Sequence, residues 1–200
     1  MRIAIARAVS VLGNPIVLVS VAALTTASTQ GAPLMQLRII GVFLLTFAGV
    51  VFGFMWFQVR AGRWTHVDAS ARSERPSLNL FLVGLLVLSA VLLRYLLRSP
   101  HMSIALVLAA MLVVAALLLA RWVKVSLHTA FAAYSTALLW PLTLAVVGGI
   151  VVTAAVAWSR LALGRHVAAD VGVGFLLGWS QARRTICGSS NSALERSRYD

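Results

Sequence analysis

Thirty consecutive residues, 129–158, carry no charged side chain, and this run limits the folds open to the chain. As one straight helix it would extend about 45 Å, more than the ~30 Å hydrocarbon core of a bilayer. Other uncharged apolar runs approach or exceed the ~20 residues that cross a membrane as a helix. With 60% hydrophobic and 11% charged residues, the composition is not that of a soluble globular domain. We therefore predict an all-α polytopic membrane protein with about six to seven transmembrane helices.

The first apolar run extends from Ala8 to about Thr29 and is interrupted by Gly13-Asn14-Pro15. We interpret it as a retained span, because no clear small-residue cleavage site follows and further spans come at once. The later runs predict further helices at 39–57, 78–97, 104–120 and 166–180. The expected organisation is two N-terminal transmembrane helices, a core of loop and helices, and a polar basic tail: 1–57, 58–181 and 182–200.

The uncharged run can cross the membrane once or fold back on itself. A single crossing would put His128 and His166 on opposite sides of the membrane. A hairpin that turns near Leu139-Trp140-Pro141 keeps them on one side, and Pro141 suits the first turn of the returning helix. We favour the hairpin, whose arms would each be shorter than a full span, so that the histidines lie near the lipid headgroups.

The net charge of +12 comes from seventeen Lys and Arg residues against five acidic ones, and Lys124 is the single lysine. No basic face interleaved with aromatic residues on a soluble module is available, so we expect no nucleic-acid partner. The charge instead favours positive-inside anchoring of loops and attraction to anionic membrane lipids. The lone Cys187 excludes an intramolecular disulfide, and no Cys/His pattern indicates a metal site.

Residues 158–170, W-S-R-L-A-L-G-R-H-V-A-A-D, concentrate polar groups in an apolar sequence. His166 and Asp170 are four apart, so on a helix they share a face. The apolar residues that follow predict a helix beginning near His166, where backbone amides and the helix dipole favour an anion. Asp170 is the only acidic residue inside a long apolar segment, and such a carboxylate indicates a functional site. With Arg160 and Arg165, this segment predicts an anion site that contains a nucleophile or an acid.

Two further polar segments are predicted to face the same side of the membrane. The loop 58–77 ends in Arg75-Pro76, and a proline at a helix start would hold Arg75 at the mouth of the bundle. The segment 121–128 combines a cation, a hydroxyl and an imidazole: Lys124, Ser126 and His128. The loop 58–77 can also be interpreted as a solvated segment whose charges only set the membrane topology. The segment 121–128 can also be interpreted as interfacial anchors whose polar ends reach water.

These residues resemble the signatures of the phosphatidic acid phosphatase type 2 superfamily, whose lipid phosphatases share a helical core with vanadium haloperoxidases. The third signature (Ser-Arg, five residues, His, three residues, Asp) is complete from Ser159 to Asp170. The second, Pro-Ser-Gly-His, is present as Val125-Ser126-Leu127-His128. The first (Lys, six residues, Arg-Pro) keeps Arg75-Pro76 but has Asp68 at the lysine position. The chain is similar to a divergent branch of that family from about residue 58 to 180.

The resemblance implies a multi-pass cell-membrane enzyme that hydrolyses a phosphate monoester or diphosphate of a phosphatidate-like or polyprenyl lipid. It implies His166 as the nucleophile that forms a phosphohistidine, Asp170 as the group that orients it, and His128 as the general acid. It also implies a set of phosphate-binding side chains, with Lys124 favoured over Arg72 as the replacement for the missing lysine: Arg75, Arg160, Ser126, and Lys124 or Arg72. We expect no metal or other cofactor, since the sequence lacks the carboxylate cluster of a two-metal phosphatase.

Two alternatives remain open beside the phosphatase. One is a lipid phosphotransferase of the same fold, in which an alcohol replaces water as acceptor. The other is a non-catalytic membrane protein or transporter that binds lipid phosphates, favoured by the missing lysine and by Leu127, which restricts the backbone near a phosphate. The resemblance favours a site on the outer face of the membrane, whereas the distribution of Lys and Arg favours the inner face.

Overall fold

The computed structural model describes residues 1–65, 74–96 and 100–181, except for the side chain of His101. Eight helices make up these described ranges: α1 Arg2–Leu12, α2 Pro15–Thr29, α3 Leu34–Arg60, α4 Arg75–Tyr95, α5 Pro100–Leu119, α6 Leu127–Leu138, α7 Thr143–Ala162 and α8, 168–181. No strand occurs within them, and the all-α prediction is confirmed.

Four helices are long and apolar enough to cross a membrane, namely α3, α4, α5 and α7. α1 and α2 together form a fifth candidate, a broken span bent by 51°. These helices are compatible with a multi-pass membrane protein, but the predicted six to seven spans are not confirmed in the described ranges. The reason is length, because the 12 residues of α6 extend only ~18 Å and the described part of α8, 168–181, extends only ~21 Å, well short of the ~30 Å core.

The bend between α1 and α2 has a local cause in Gly13-Asn14-Pro15. The side-chain oxygen of Asn14 accepts a hydrogen bond from the amide of Ile16 at 2.9 Å and so caps α2, whose first residue is Pro15. A Cβ at Gly13 would overlap the side chain of Val156 in α7. The glycine therefore allows α1 to lie directly against α7.

The uncharged run forms a helical hairpin, as predicted, in which α6 and α7 pack against each other across a turn at 139–142. Pro141 lies in this turn and not in the first turn of α7, which begins at Thr143. The expectation of two short arms is wrong for α7, which has 20 residues. Because the short α6 alone fails to span, the hairpin is asymmetric.

α6 is surrounded by other helices, and every residue from Thr129 to Ala137 is buried. The hydroxyl of Tyr134 donates a hydrogen bond to the carbonyl of Ala105 in α5 at 2.8 Å. A further hydrogen bond of 3.0 Å joins the hydroxyls of Thr136 and Thr153 and links α6 to α7. Hydroxyl pairs of this kind, together with small side chains, hold helices together where lipid removes the hydrophobic driving force.

α8 approaches α6 more closely than side chains would permit. A Cβ at Gly174 would lie 2.6 Å from the carbonyl oxygen of Ser126, and one at Gly178 would overlap the carbonyl of Ala130. The two glycines are four residues apart and so lie on one face of α8, a small-xxx-small arrangement that brings two helix backbones together. This contact holds the middle and the described end of α8 beside the start of α6.

Candidate functional site

The segments that precede α6 and α8 meet at one end of the hairpin. The amide of Ser126 donates a hydrogen bond to the carbonyl oxygen of Asp170 at 3.1 Å. The amide of Lys124 donates to the Asp170 carboxylate at 3.1 Å. Four hydrogen bonds, counting the imidazole and ammonium contacts below, therefore join residues 124–126, at the start of the second signature, to the third signature. The sequence alone predicted only that these signatures face the same side.

Asp170 lies in the first turn of α8 and is 6% exposed. Besides the Lys124 amide, its carboxylate accepts a hydrogen bond from the amide of Val167 at 3.2 Å, in the manner of a residue that closes a helix N-terminus. α8 consequently begins at residue 168, and not at His166 as predicted. His166 stands two residues before the helix, in the loop after α7.

The Nδ1 atom of His166 lies 2.9 Å from the carbonyl oxygen of Lys124 and 3.3 Å from Oδ2 of Asp170. A carbonyl oxygen can only accept a hydrogen bond, so the contact requires the proton on Nδ1. The neutral ring then carries its lone pair on Nε2. An imidazole held in this tautomer has the nitrogen that a nucleophile needs.

The charge of His166 is set by burial and by its neighbours. Burial, with a smaller contribution from the guanidinium groups of Arg160 and Arg75, lowers the pKa of His166 from 6.5 to about 4, against the raising effect of Asp170. The imidazole is therefore neutral at pH 7. Since arginine does not lose its proton in proteins, the surroundings of the ring are permanently cationic.

His128 lies in the first turn of α6, a helix too short to span the membrane, and is partly exposed. Burial lowers the pKa of His128 to about 3, helped by charges on Arg160, His166, Arg165 and Arg75. The two histidines therefore share one electrostatic environment. A separation of about 5–8 Å between their rings, the width of a phosphate, remains a prediction.

Arg160 and Arg75 reach this environment from different helices. Arg160 is 4% exposed inside α7, where its Nη1 atom donates a hydrogen bond to the hydroxyl of Ser10 at 2.8 Å. Arg75 begins α4 with Pro76 in the first turn, as predicted. Just before it, the buried carboxylate of Glu74 accepts hydrogen bonds from the amide and hydroxyl of Thr65 at 2.7 and 3.0 Å. That pair ties the start of α4 to the chain that leaves α3.

Two of these residues, Ser10 and Glu74, were missed by the sequence analysis. Ser10 gives no signal, because it is an ordinary serine 150 residues from its partner. Glu74, in contrast, does give a signal in the sequence. It is an acidic residue beside Arg75 in a chain with only five acids, and its position just before a span could have identified it.

Lys124 and Ser126 enter the site mainly through their backbone atoms. The ammonium group of Lys124 donates a hydrogen bond to the carbonyl oxygen of Arg165 at 3.0 Å, next to His166. Ser126 has no exposed surface, and its hydroxyl lies 3.1 Å from that of Thr129. Phosphate binding by these two side chains stays a prediction.

The remaining predictions concern the cation at Arg72 and the absence of a metal ion. Arg72 and Asp68 lie outside the described residues, so the predicted exchange of cation between Lys124 and Arg72 has no structural counterpart. Within residues 1–65, 74–96 and 100–181, no group of three His, Cys, Asp or Glu side chains comes together that could hold a metal ion. Among the described residues, the two histidines share their surroundings with the guanidinium groups of Arg160 and Arg75 and the carboxylate of Asp170.

The described residues form an all-helical protein whose long apolar helices are compatible with a membrane, and it carries a histidine–aspartate pair near arginines. Comparison of the chain with family models, with curated proteins and with solved structures gives no match.

Proposed function

We propose that this protein is an integral membrane lipid phosphatase that removes phosphate from a phosphorylated lipid through a phosphohistidine on His166. The proposal includes membership of the phosphatidic acid phosphatase type 2 superfamily, with α4 to α8 as the corresponding helical core. In that core, α6 and α8 are partial-depth helices, and the protein resides in a cell membrane. The observation that carries the proposal is the tautomer of His166, whose Nδ1 proton is directed at Lys124 and whose Nε2 lone pair is available.

In the first step, Nε2 of His166 attacks phosphorus and the bond from phosphorus to the lipid oxygen breaks. His128, in its protonated form, gives its proton to the departing alkoxide, so that the lipid leaves as a neutral alcohol. A bound phosphate places negative charge beside His128 and so raises the pKa of His128 above the low value set by burial and the neighbouring cations. Substrate binding therefore favours the protonated form of His128, which is the form that acts as the general acid.

In the second step, water attacks the phosphohistidine and the bond from phosphorus to Nε2 breaks. The now neutral His128 accepts the proton from the water, and inorganic phosphate leaves. Arg160 and Arg75 supply positive charge to the phosphate oxygens in both steps, since stabilisation of those oxygens carries most of phosphoryl-transfer catalysis. Lys124 is proposed as the third cation, beside the carbonyl of Arg165.

The test is release of inorganic phosphate by the full chain, purified in detergent, from phosphatidate and from a polyprenyl diphosphate. His166→Ala should abolish turnover, and rapid acid-free quenching with labelled substrate should place the label on His166. His101→Ala, a histidine outside all three signatures, is the matched control and should retain activity. Turnover in His166→Ala equal to that of His101→Ala would exclude the proposed nucleophile.

Two other functions are distinguished by the same preparation. A phosphotransferase would give a new phosphorylated product that depends on an added alcohol, because the acceptor competes with water for the phosphohistidine. A non-catalytic lipid-phosphate binder would bind phosphatidate without releasing phosphate or forming a phosphoenzyme. The nucleophilic tautomer of His166 favours the two enzymes over the binder.

A further inference from the structure

One hydrogen-bond partner of Arg160 lies outside the segment that carries the three signatures. Its Nη1 atom donates a 2.8 Å hydrogen bond to the hydroxyl of Ser10, near the end of α1. Ser10 is 9% exposed and Arg160 4%, so water is largely excluded from this bond. A charged donor bonded to a hydroxyl in such surroundings is stronger than the same pair in water.

The position of Ser10 is imposed by the packing of α1 and not by chance contact. Ala6, one turn earlier, has no exposed surface, and Gly13, one turn later, lies against Val156 with no room for a Cβ. These three residues are spaced by four and three, so they lie along one face of α1. That face packs on α7, and Ser10 is its polar member.

We infer that Ser10 is a positioning residue for the phosphate site: its hydroxyl orients the guanidinium of Arg160 toward the phosphate of the lipid substrate. The inference rests on the proposed function, in which Arg160 binds phosphate. It adds α1 to a site whose sequence signatures all lie between residues 58 and 180.

The physical basis is the long, flexible side chain of arginine. A guanidinium recognises phosphate through a planar set of donors whose direction matters as much as their charge. Because the Ser10 hydroxyl accepts from one of those donors, it limits the rotamers open to Arg160 before substrate arrives. A pre-oriented arginine binds more tightly than one that must be ordered on binding.

The experiment compares Ser10→Thr with Ser10→Val in the full-length protein. The two side chains have nearly the same shape, so any packing cost is shared, and only the threonine keeps a hydroxyl. KM for phosphatidate and the inhibition constants of inorganic phosphate and orthovanadate are measured, along with the melting temperature. Ser103→Ala is the matched control, because Ser103 is also 9% exposed and has a 2.8 Å hydrogen bond, in its case to Ala90 of α4.

We expect Ser10→Val to raise KM and both inhibition constants about tenfold relative to Ser10→Thr, as for loss of one hydrogen bond to a charged group. Ser103→Ala should leave all three constants at the wild-type values. Equal constants for the Val and Thr variants, with active wild-type protein, would overturn the inference alone. A wild-type protein that releases no phosphate would overturn the proposed function and this inference with it.

Discussion

The Nδ1 atom of His166 lies closer to the main-chain oxygen of Lys124, at 2.9 Å, than to the carboxylate of Asp170, at 3.3 Å. The shorter contact comes from the backbone of a segment 42 residues away, and side-chain substitution at Lys124 leaves it in place. The tautomer of the histidine is therefore set by the packing of the segment before α6 against the loop before α8. Asp170 stabilises the same junction, since its carboxylate also accepts the amides of Lys124 and Val167.

Asp170→Asn should accordingly lower activity less than the loss of an orienting carboxylate does in a protease triad. There the wrong tautomer costs ~10⁴ in kcat. Here the Lys124 carbonyl still holds the Nδ1 proton. We therefore expect a loss of about 10–100-fold in kcat, as for a group that only orients the residue in contact with the reacting atoms. The melting temperature should fall as well, because one buried amide loses its acceptor at a cost of about 1–3 kcal/mol. A loss in kcat of about 10⁴ at unchanged melting temperature would show that Asp170, and not the Lys124 carbonyl, sets the tautomer of His166.

The stability of the protein should depend on pH through His166. The folded protein keeps this ring neutral down to pH of about 4, whereas the unfolded chain binds a proton below pH 6.5. The unfolded state thus holds more protons between these values, and the free energy of unfolding should fall as pH decreases from 6.5 to 4. The measurement is the melting temperature from pH 4 to 8, for wild type and for His166→Gln. The variant should show a shallower decrease, and parallel curves would contradict the lowered pKa of His166.

His128→Ala should affect substrates according to their leaving group. A lipid alkoxide needs a proton as it departs, whereas an activated phenolate such as p-nitrophenolate hardly does. We expect a loss of about 10²–10⁴-fold with phosphatidate, the usual contribution of a general acid, and a much smaller loss with p-nitrophenyl phosphate. Phosphate release is measured for both substrates. Equal losses on the two would argue that His128 binds phosphate and does not donate a proton.

Gly178→Ala should disrupt the contact between α8 and α6, and Gly172→Ala should not. A Cβ at Gly178 would overlap the carbonyl of Ala130, whereas a Cβ at Gly172 would meet no atom within 4 Å. Alanine also favours a helix over glycine by about 0.5–1 kcal/mol, so Gly172→Ala should keep or raise the melting temperature. Gly178→Ala should lower both the melting temperature and phosphate release, because α8 carries Asp170. A stable, fully active Gly178→Ala protein would show that the close contact is not required.

Those parts of the fold that depend on residue type along the chain could be predicted from the sequence. The uncharged run predicted the hairpin because a 45 Å helix does not fit a bilayer, and Gly13-Asn14-Pro15 predicted the break between α1 and α2. The number of spans could not be predicted as well, because the depth of α6 depends on the helices that surround it. Burial of Thr129 to Ala137 by protein, and not by lipid, is a tertiary property.

The candidate site likewise has features that could be predicted from the sequence and features that could not. His166, Asp170 and Arg160 were predicted from their spacing, since side-chain chemistry is visible in a sequence. The backbone bonds of Lys124 were not, because an amide or a carbonyl is the same at every position and only the fold selects it. The partnership of Ser10 with Arg160 was hidden for a related reason, as nothing local links two residues on α1 and α7.

The last prediction concerns the missing lysine of the first signature and its proposed substitute, Lys124. Because substitution changes only the side chain, the backbone bonds to His166 and Asp170 remain, and the experiment isolates the ammonium group. If that group binds phosphate, Lys124→Gln should lower kcat by about 10²–10³, the usual cost of one donor to a developing oxyanion. Lys124→Arg should recover only part of the rate, since a planar guanidinium does not replace a compact point charge.

If Lys124 were only an interfacial anchor, Lys124→Arg should keep full activity and Lys124→Gln should keep nearly full activity. Arg121→Gln is the control for general loss of charge at this end of α5, because Arg121 is exposed and stacks on Trp122 at 3.8 Å. Phosphate release from phosphatidate is measured for all three variants. Wild-type rates in Lys124→Gln would leave the proposed site one cation short, and Arg72 would then be the residue to substitute next.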